Sequence, residues 1–326
     1  MLKILYAAGN NSNAKIALDR FISATKDKAY IIKIAAYKES SPNINNIDWT
    51  LDCLLNIHKP DHISLNNDNF QTYFDQVKYF SPDLIISDLE FFTSYIANVL
   101  NITLWQCSSS IINYAINHYE KYNVGLFKKY AYLFNKNNVD VQRIINIIDN
   151  SKCNFVSSHF GDIDNPPKLK NGFQWVRPYH LIGKYYIPCQ HNIVAITLNG
   201  NKKILSLLKK YEDSIIFSDF CDECSGVKIK NIDSVDYICN LSNSNLFICD
   251  GQTSFLADAY YNNKYSVILT NLKDKECIIN SVFSDHYKLS SSIYDSEENL
   301  ERYMSNKIHS LYNKNIKFLH QYIDEL

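Results

Sequence analysis

The sequence contains few glycines and prolines and no long apolar run. Only 8 of its 326 residues are glycine and 7 are proline. No run approaches the roughly 18 apolar residues that a membrane-spanning helix needs, and the N-terminus lacks the architecture of a signal peptide. These absences favour a protein of the cytoplasm, or of the host cytoplasm if the gene is phage or viral.

The chain also lacks an excess of charge of either sign. The formal net charge is −1, which gives no overall attraction to a polyanion. Nine cysteines are scattered along the chain, and Cys221 and Cys224 form a Cys-x-x-Cys pair without a second pair at zinc spacing. We therefore predict reduced structural thiols. The 46% of hydrophobic and 21% of charged residues are typical of a globular protein, and the length suggests two domains.

Strand and helix signals alternate along both halves of the chain, as in parallel α/β sheets with helices on both faces. The strand signals are Leu2 to Ala7, Tyr30 to Ala36, His62 to Leu65 (weak), Leu84 to Ser87, Ile102 to Gln106, Phe155 to Ser157, Asn192 to Leu198, Ser214 to Ser218, Val227 to Ile229, Asn245 to Ile248 and Tyr265 to Leu269. A long helix is predicted over 111–135. The loop-rich stretch 162–178 predicts a boundary, so we expect an N-terminal domain at 1–175, a C-terminal domain at 176–311 and a final helix at 312–326.

The most informative segment begins where the strand 245–248 ends. Asp250 and Gly251 lead into Thr253, Ser254 and a helix of small residues. A helix N-terminus with free backbone N–H groups and hydroxyls can bind a diphosphate, and Asp258 one turn further on could accept hydrogen bonds from a ribose. A purely structural turn with Thr253 or Ser254 as the N-cap is the competing interpretation.

Three parts of the chain, in order, resemble the sequence signature of GT-B glycosyltransferases. Asp258-Ala259 stands where the donor-site helix of that family carries Glu-Ala. Segment 276–281 is similar to the family's Glu/Asp-Gln-x-x-Asn-Ala element. Segments 81–88 and 97–102 are similar to its N-domain pattern. The match is closest to the branch of the peptidoglycan-lipid N-acetylglucosaminyltransferases. The resemblance implies an α/β fold of two Rossmann-like domains that face each other across a cleft.

The resemblance also implies the chemistry. It points to inverting, metal-independent transfer of a sugar from a nucleoside diphosphate, most simply UDP, with no cofactor. No Asp-x-Asp pair directly follows a predicted strand, which fits metal independence. The acceptor stays open between a glycan, a lipid-linked sugar, a small molecule and a modified DNA base. The predicted donor contacts are Gly251, Gln252, Thr253, Ser254, Asp258 and Glu276, together with Asn199 and Gly200 after the first strand of the second half.

The catalytic base is harder to place. Relatives often carry a histidine in a glycine-rich first loop, but here the loop is Gly9, Asn10, Asn11, Ser12 and Asn13, with Asn13 at the position of the histidine. An amide can orient a hydroxyl but cannot act as a base. We therefore predict Asp88 as the base, since burial near two phenylalanines would raise its pKa, with Glu90 as the substitute. Alternatively, Asp88 caps the following helix or binds the first loop.

Other functions remain open at this level. A sugar-nucleotide epimerase shares the fold, a catalytically inactive protein could bind the nucleotide sugar alone, and hydroxymethylated bases of phage DNA could be the acceptor. An aromatic cluster could line an acceptor cleft, although such clusters are more often core or amphipathic surface. Its members are Tyr114, Tyr119, Tyr122, Phe127, Tyr130, Tyr132 and Phe134.

Overall fold

Two parallel β-sheets with flanking helices make up the fold of the chain. The structure is a computed structural model. It describes residues 1–9, 12–37, 48–51, 68–134, 139–182, 191–197, 202–218, 228–230, 232, 234–293, 300–306, 308 and 316–326. The predicted strand at 62–65 lies outside these residues.

The first sheet has seven strands in the order β3-β2-β1-β4-β5-β6-β7, and every neighbouring pair is parallel. Its strands are β1 (Leu2–Ala7), β2 (Tyr30–Tyr37), β3 (Trp49–Leu51), β4 (Leu84–Ser87), β5 (Thr103–Ser108), β6 (Cys153–Ser157) and β7 (Phe173–Val176). Its helices are α1 (Ser12–Thr25), α2 (Asp68–Phe80), α3 (Phe91–Val99), α4 (Ile112–Ala115), α5 (Val124–Lys129) and α6 (Val139–Asp149).

The second sheet has six strands in the order β10-β9-β8-β11-β12-β13, again all parallel. Its strands are β8 (Ile193–Thr197), β9 (Ser214–Ser218), β10 (Lys228–Lys230), β11 (Leu246–Cys249), β12 (Ser266–Leu269) and β13 (Ser290–Ile293). The helices are α7 (Lys202–Leu208), α8 (Ser234–Asn243), α9 (Thr253–Tyr261) and α10 (Lys275–His286), and α11 (Leu319–Ile323) ends the chain.

The central strands explain why both sheets are parallel. Every residue of β4 and of β11 is buried, and both strands are short, almost continuously apolar runs. Strands covered by helices on both faces have this composition, whereas strands with one solvated face alternate apolar and polar residues. The predicted α/β class is confirmed.

Two predicted helices differ from the structure. Segment 111–134 is divided into α4, α5 and two short 3-10 turns rather than one long helix. The break has a local cause, because His118 adopts a left-handed conformation at φ 54° and Asn123 caps α5 through a hydrogen bond from the Leu126 N–H. At the C-terminus, the helix begins only at Leu319, and residues 316–318 are not helical.

The two halves share a continuous apolar core. Ile112 and Phe160 of the first half lie in one buried cluster with Tyr260 and Phe283 of the second. The C-terminal segment returns to the first half, where the Arg177 N–H donates to the Lys317 carbonyl at 2.9 Å. We call the region in which residues of the two halves contact each other, including this buried cluster, the seam. The division into domains at residues 175 and 311 stays a prediction, and in the described ranges no helix is long and apolar enough to cross a membrane.

Candidate active site

Both predicted site regions follow strands at which the strand order reverses. In the first sheet this point lies between β1 and β4, and Gly9 and Asp88 follow these two strands. In the second it lies between β8 and β11, and Gly251 follows β11. Ligands of open parallel sheets bind outside the carboxyl ends of the strands at such a point. The topology therefore places the candidate residues where a ligand is expected.

Gly251 forms a sharp turn between β11 and α9. Its φ is +99°, a conformation that L side chains rarely adopt, and an added Cβ would lie 3.1 Å from the Cys277 carbonyl oxygen of α10. Glycine is thus required for the fold of this turn. The close approach brings the first turns of α9 and α10 together, which positions the polar groups described next.

The Glu276 carboxylate connects the two halves. Its Oε2 accepts hydrogen bonds from the Ser109 and Ser110 hydroxyls, each at 2.8 Å, directly after β5. Its Oε1 accepts from the Thr253 hydroxyl at 2.8 Å, and Asn280 in turn donates to that hydroxyl at 2.9 Å. Burial is the largest cause that raises the pKa of Glu276 to about 7, and the negative charge of the nearby Asp274 acts in the same direction. We call this set the Ser109/Ser110–Glu276 bridge.

Asp88 follows β4 and is 6% exposed. Its backbone N–H donates to the Ala7 carbonyl at 2.9 Å, and its carboxylate is hydrogen-bonded by the Gly9 N–H and the Ser108 hydroxyl. A Cβ on Gly9 would come within 2.5 Å of the Asp88 carbonyl oxygen, so this approach requires glycine. Burial raises the pKa of Asp88 to about 6, as expected of a base that works near neutral pH.

Glu90, the predicted substitute for the base, has the structural role that the sequence analysis gave as an alternative for Asp88. It is the N-cap of α3, where its carboxylate accepts from the Phe92 and Thr93 N–H groups at 2.9 and 2.6 Å. The Tyr37 hydroxyl donates to the same carboxylate at 2.7 Å. The cap of α3 is therefore Glu90. Of the two structural alternatives for Asp88, the structure contains the hydrogen bond to the first loop and not the helix cap.

One small cavity joins residues of both sheets. Asp88 and Ser109 line it from the first half, and Thr253 and Ser254 line it from the second. Its volume is about 30 Å³, which is room for one or two water molecules. The structure thus brings the predicted base and two predicted donor residues together, in a conformation too narrow for a nucleotide.

Asp258 lies inside the seam and is completely buried. Its Oδ2 pairs with the Arg20 guanidinium at 2.7 Å and its Oδ1 accepts from the Leu181 N–H at 2.8 Å. Burial is the largest cause of the raised pKa of Asp258, with Arg20 acting in the opposite direction. In this conformation both oxygens are engaged within the protein, so the geometry favours a structural role over a contact with ribose.

Some predicted residues can be placed only in part. Gln252 is the N-cap residue of α9, without a side-chain capping bond. Asn10, Asn11, Asn199 and Gly200 lie outside the described residues. Ser12 and Asn13 begin α1, and their side chains are not among those described.

Three polar residues of the site region were missed by the sequence analysis, and Asp250 was named there without a role. Ser109 and Ser110 stand in a run of three serines that begins two residues after the end of a predicted strand, which is a detectable signal. Arg20 carries none, because its partner is 238 residues away. Asp250 at the end of β11 is also buried, and burial raises its pKa to about 7.

Solved structures of similar fold include glycosyltransferases of the GT-B type. The thymidine diphosphate complex of the glycosyltransferase SsfS6 from Streptomyces sp. SF2575 has a TM-score of 0.62 at 11% identity, over 94% of this chain and 92% of that one. The spinosyn forosaminyltransferase SpnP has a TM-score of 0.59 at 11% identity, over 91% and 87%. A Listeria monocytogenes structure assigned as a UDP-N-acetylglucosamine 2-epimerase has a TM-score of 0.56 at 9% identity, over 91% and 85%.

The comparisons establish the fold alone. No protein-family model matches the sequence, and no curated protein matches it. At about one residue in ten identical, the structural similarity confirms the predicted GT-B arrangement of two parallel sheets with flanking helices.

Proposed function

We propose that the protein is an inverting glycosyltransferase that transfers a sugar from a nucleoside-diphosphate sugar to an acceptor hydroxyl without a metal ion. One observation carries this proposal. The same cavity is lined by a carboxylate with a raised pKa, Asp88, and by the N-terminus of α9 with Thr253 and Ser254. A base and an anion-binding helix terminus that line one cavity are the groups that such a sugar transfer requires.

The N-terminus of α9 and Asp88 have separate roles in the proposed reaction. The N-terminus of α9 and the hydroxyls of Thr253 and Ser254 stabilise the negative charge that develops on the leaving diphosphate. Asp88 accepts the proton of the acceptor hydroxyl, whose oxygen then bonds to the anomeric carbon while the bond to the diphosphate breaks. Attack from the face opposite the leaving diphosphate would invert the anomeric carbon, and this stereochemistry is the part of the proposal that the sequence resemblance supports.

Donor binding requires the cavity to widen. Small-molecule sites enclose roughly 300–1,000 Å³, whereas this cavity measures about 30 Å³. The Ser109/Ser110–Glu276 bridge crosses the seam beside Thr253, so its separation is the simplest widening step. Glu276 would then be able to accept hydrogen bonds from donor-sugar hydroxyls in place of the two serine hydroxyls.

The nucleotide and the branch of the family belong to the same proposal. The fold similarity to a thymidine diphosphate complex supports a nucleoside diphosphate, and dTDP and UDP are the first to test. The relation to peptidoglycan-lipid N-acetylglucosaminyltransferases stays a prediction. An epimerase is the second candidate because one similar fold is assigned to that activity; with donor alone, an epimerase would convert the sugar, whereas a transferase would not.

Thermal-shift measurements with UDP, dTDP, GDP, CMP and their sugars test the proposal. A nucleotide at about 100 times its Kd adds about 2.7 kcal/mol, so a rise of several degrees in Tm is expected with one of them. The double substitution Thr253→Ala with Ser254→Ala should abolish this rise. No rise with any nucleotide would refute the donor site.

A matched control exists in the first half of the chain. Thr93 and Ser94 form the same buried residue pair in the first turn of α3 but do not line the cavity. Their double substitution to alanine should lower the Tm and leave the nucleotide-dependent rise intact.

A further inference from the structure

The Asn280 side chain fixes the direction of the hydrogen bonds around Thr253. Its nitrogen Nδ2 lies 2.9 Å from the Gly251 carbonyl oxygen and also 2.9 Å from the Thr253 hydroxyl oxygen. A carbonyl oxygen can only accept a hydrogen bond, so the atom that faces both groups is the amino nitrogen of the amide. Asn280 therefore donates to Thr253 Oγ1 as well, and it occupies one lone pair of that oxygen.

Both hydrogen-bond donors of Thr253 are directed at Glu276. The Thr253 hydroxyl lies 2.8 Å from Glu276 Oε1, and the Thr253 backbone N–H lies 3.3 Å from the same oxygen. An ionised carboxylate only accepts hydrogen bonds, so the hydroxyl donates its single proton to Glu276. As long as Glu276 is ionised and stays in this position, the Thr253 hydroxyl has no proton to donate to a diphosphate oxygen.

A diphosphate bound at this helix N-terminus would add negative charge next to the Glu276 carboxylate. Thr253 and Ser254 line the small cavity, and Glu276 is in direct contact with Thr253. All three residues are buried, so water screens the repulsion between the two anionic groups only weakly. A proton on Glu276 would remove this repulsion.

Acidic groups predominate around Glu276. In addition to burial, the charge of Asp274 raises the pKa of both Glu276 and Asp250 at the end of β11. The other titratable groups of this region are Tyr6, Asp88, Cys107, Arg177, Tyr179 and Cys277. The Arg177 guanidinium is paired with Asp162 at 2.8 Å, so its charge is already offset by a carboxylate.

We propose that binding of the nucleotide sugar is coupled to the uptake of one proton from solvent by Glu276 Oε1. The proton reverses the hydrogen bond, so that Glu276 donates to the second lone pair of Thr253 Oγ1 and the Thr253 proton turns to a diphosphate oxygen. Oε2 continues to accept, from sugar hydroxyls in place of the two serines. Asn280 is then a positioning residue, because it holds the Thr253 hydroxyl in both states. The identity of the ligand rests on the proposed function.

Titration calorimetry in two buffers counts the protons. The probes are dTDP-glucose and UDP-N-acetylglucosamine, which have no group that titrates near neutral pH. The heat of binding is measured at pH 8 in phosphate and in Tris, whose heats of ionisation differ, and the difference gives the number of protons taken up. Because the pKa of Glu276 is about 7 in the free protein, we expect roughly 0.9 proton at pH 8. For the same reason Kd should be about tenfold higher at pH 8 than at pH 6.

Glu276→Gln distinguishes this coupling from a purely structural contact. A glutamine amide donates to Thr253 without a proton from solvent, so the variant should take up less than about 0.2 proton at pH 8. It should also bind the probe at pH 8 as tightly as the original protein does at pH 6, whereas loss of a structural contact would weaken binding at both pH values. The matched control is Asp250→Asn, because Asp250 is also buried and its pKa is also raised to about 7. This control should retain most of the proton uptake.

The original protein alone decides the matter if Glu276→Gln does not fold. Binding of a probe with less than about 0.2 proton taken up at pH 8 would overturn the coupling and leave the proposed function standing. Proton uptake that is lost in Asp250→Asn and kept in Glu276→Gln would assign the proton to Asp250 and also overturn it. Failure of every nucleotide sugar to bind would instead refute the proposed function, and the coupling with it.

Discussion

The ion pair between Arg20 and Asp258 ties α1 of the first half to α9 of the second, and we predict that Arg20→Met destabilises the protein strongly. The Asp258 side chain is 0% exposed and that of Arg20 is 11% exposed. Arg20 also donates to the Tyr179 carbonyl at 3.0 Å. Methionine retains much of the apolar volume but leaves the Asp258 carboxylate buried without its cation.

The expected loss is large because the pair is buried. Removal of one partner of a buried ion pair costs about 3–5 kcal/mol, since the other charge stays out of water. At about 2 °C per kcal/mol for a chain of this size, the Tm should fall by roughly 6–10 °C. The double variant Arg20→Met with Asp258→Asn should recover at least half of this loss, because the uncompensated charge is gone and an oxygen remains to accept from the Leu181 N–H.

The pH dependence gives an independent check of the cause. Burial already raises the pKa of Asp258 in the folded protein, and loss of Arg20 raises it further. When the pKa of a carboxyl group is higher in the folded protein than in the unfolded chain, the protein loses stability as the pH rises above the unfolded value. The reason is that burial penalises the charged form. The cost of Arg20→Met should therefore be smaller near pH 5 than near pH 8.

Urea and thermal unfolding at several pH values measure these effects. The matched control is Lys28→Met, which removes a half-exposed ion pair with Asp324 and should cost less than about 1 kcal/mol. A loss for Arg20→Met no greater than that for Lys28→Met would refute the reasoning. A double variant no more stable than Arg20→Met would show that the uncompensated charge is not the cause.

Three further substitutions test the site. Gly251→Ala should cost about 2–4 kcal/mol in urea unfolding, from the strain of its φ together with the close approach of α10, whereas Gly172→Ala, at φ +83° with nothing within 4 Å of an added Cβ, should cost about 1–2 kcal/mol. Because the folded pKa of Glu276 is raised to about 7, its charged form costs stability as pH rises; the Tm gained from pH 8 to pH 5 should be smaller in Glu276→Gln. Asp88→Asn should lower the rate of sugar transfer at least 100-fold while nucleotide binding persists. In the original protein kcat/KM should fall below a pH of about 6. If kcat/KM of Asp88→Asn still falls in this pH range, another residue is the base.

The local pattern of the sequence predicts the central strands well because burial on both faces demands apolar runs. The edge strands escape this rule. β13 is Ser290–Ile293, three serines and one isoleucine, and β7 begins with Phe173 in a loop-rich stretch. Their strand character comes from pairing with β12 and β6, which is a long-range property of the sheet rather than of the segment.

The candidate site was predictable in part for the same reason. Asp88, Thr253 and Ser254 each follow or begin an element that local patterns identify, and parallel topology then brings the strand ends to one edge. The pairing of Asp258 with Arg20 depends on how the two halves dock. No local sequence pattern indicates how the halves dock, so the sequence analysis predicted that Asp258 contacts a ligand.

The two kinds of contact across the seam have different consequences for a donor that enters the small cavity. Hydrogen bonds from Ser109 and Ser110 to Glu276 can be replaced one for one by sugar hydroxyls, so their loss is offset when the donor binds. The apolar cluster around Phe160, Tyr260 and Phe283 has no such replacement, because its exposure to water costs about 25 cal/mol per Å². Opening at the bridge with the apolar cluster kept intact is therefore the least costly way to widen the small cavity without separating the two halves.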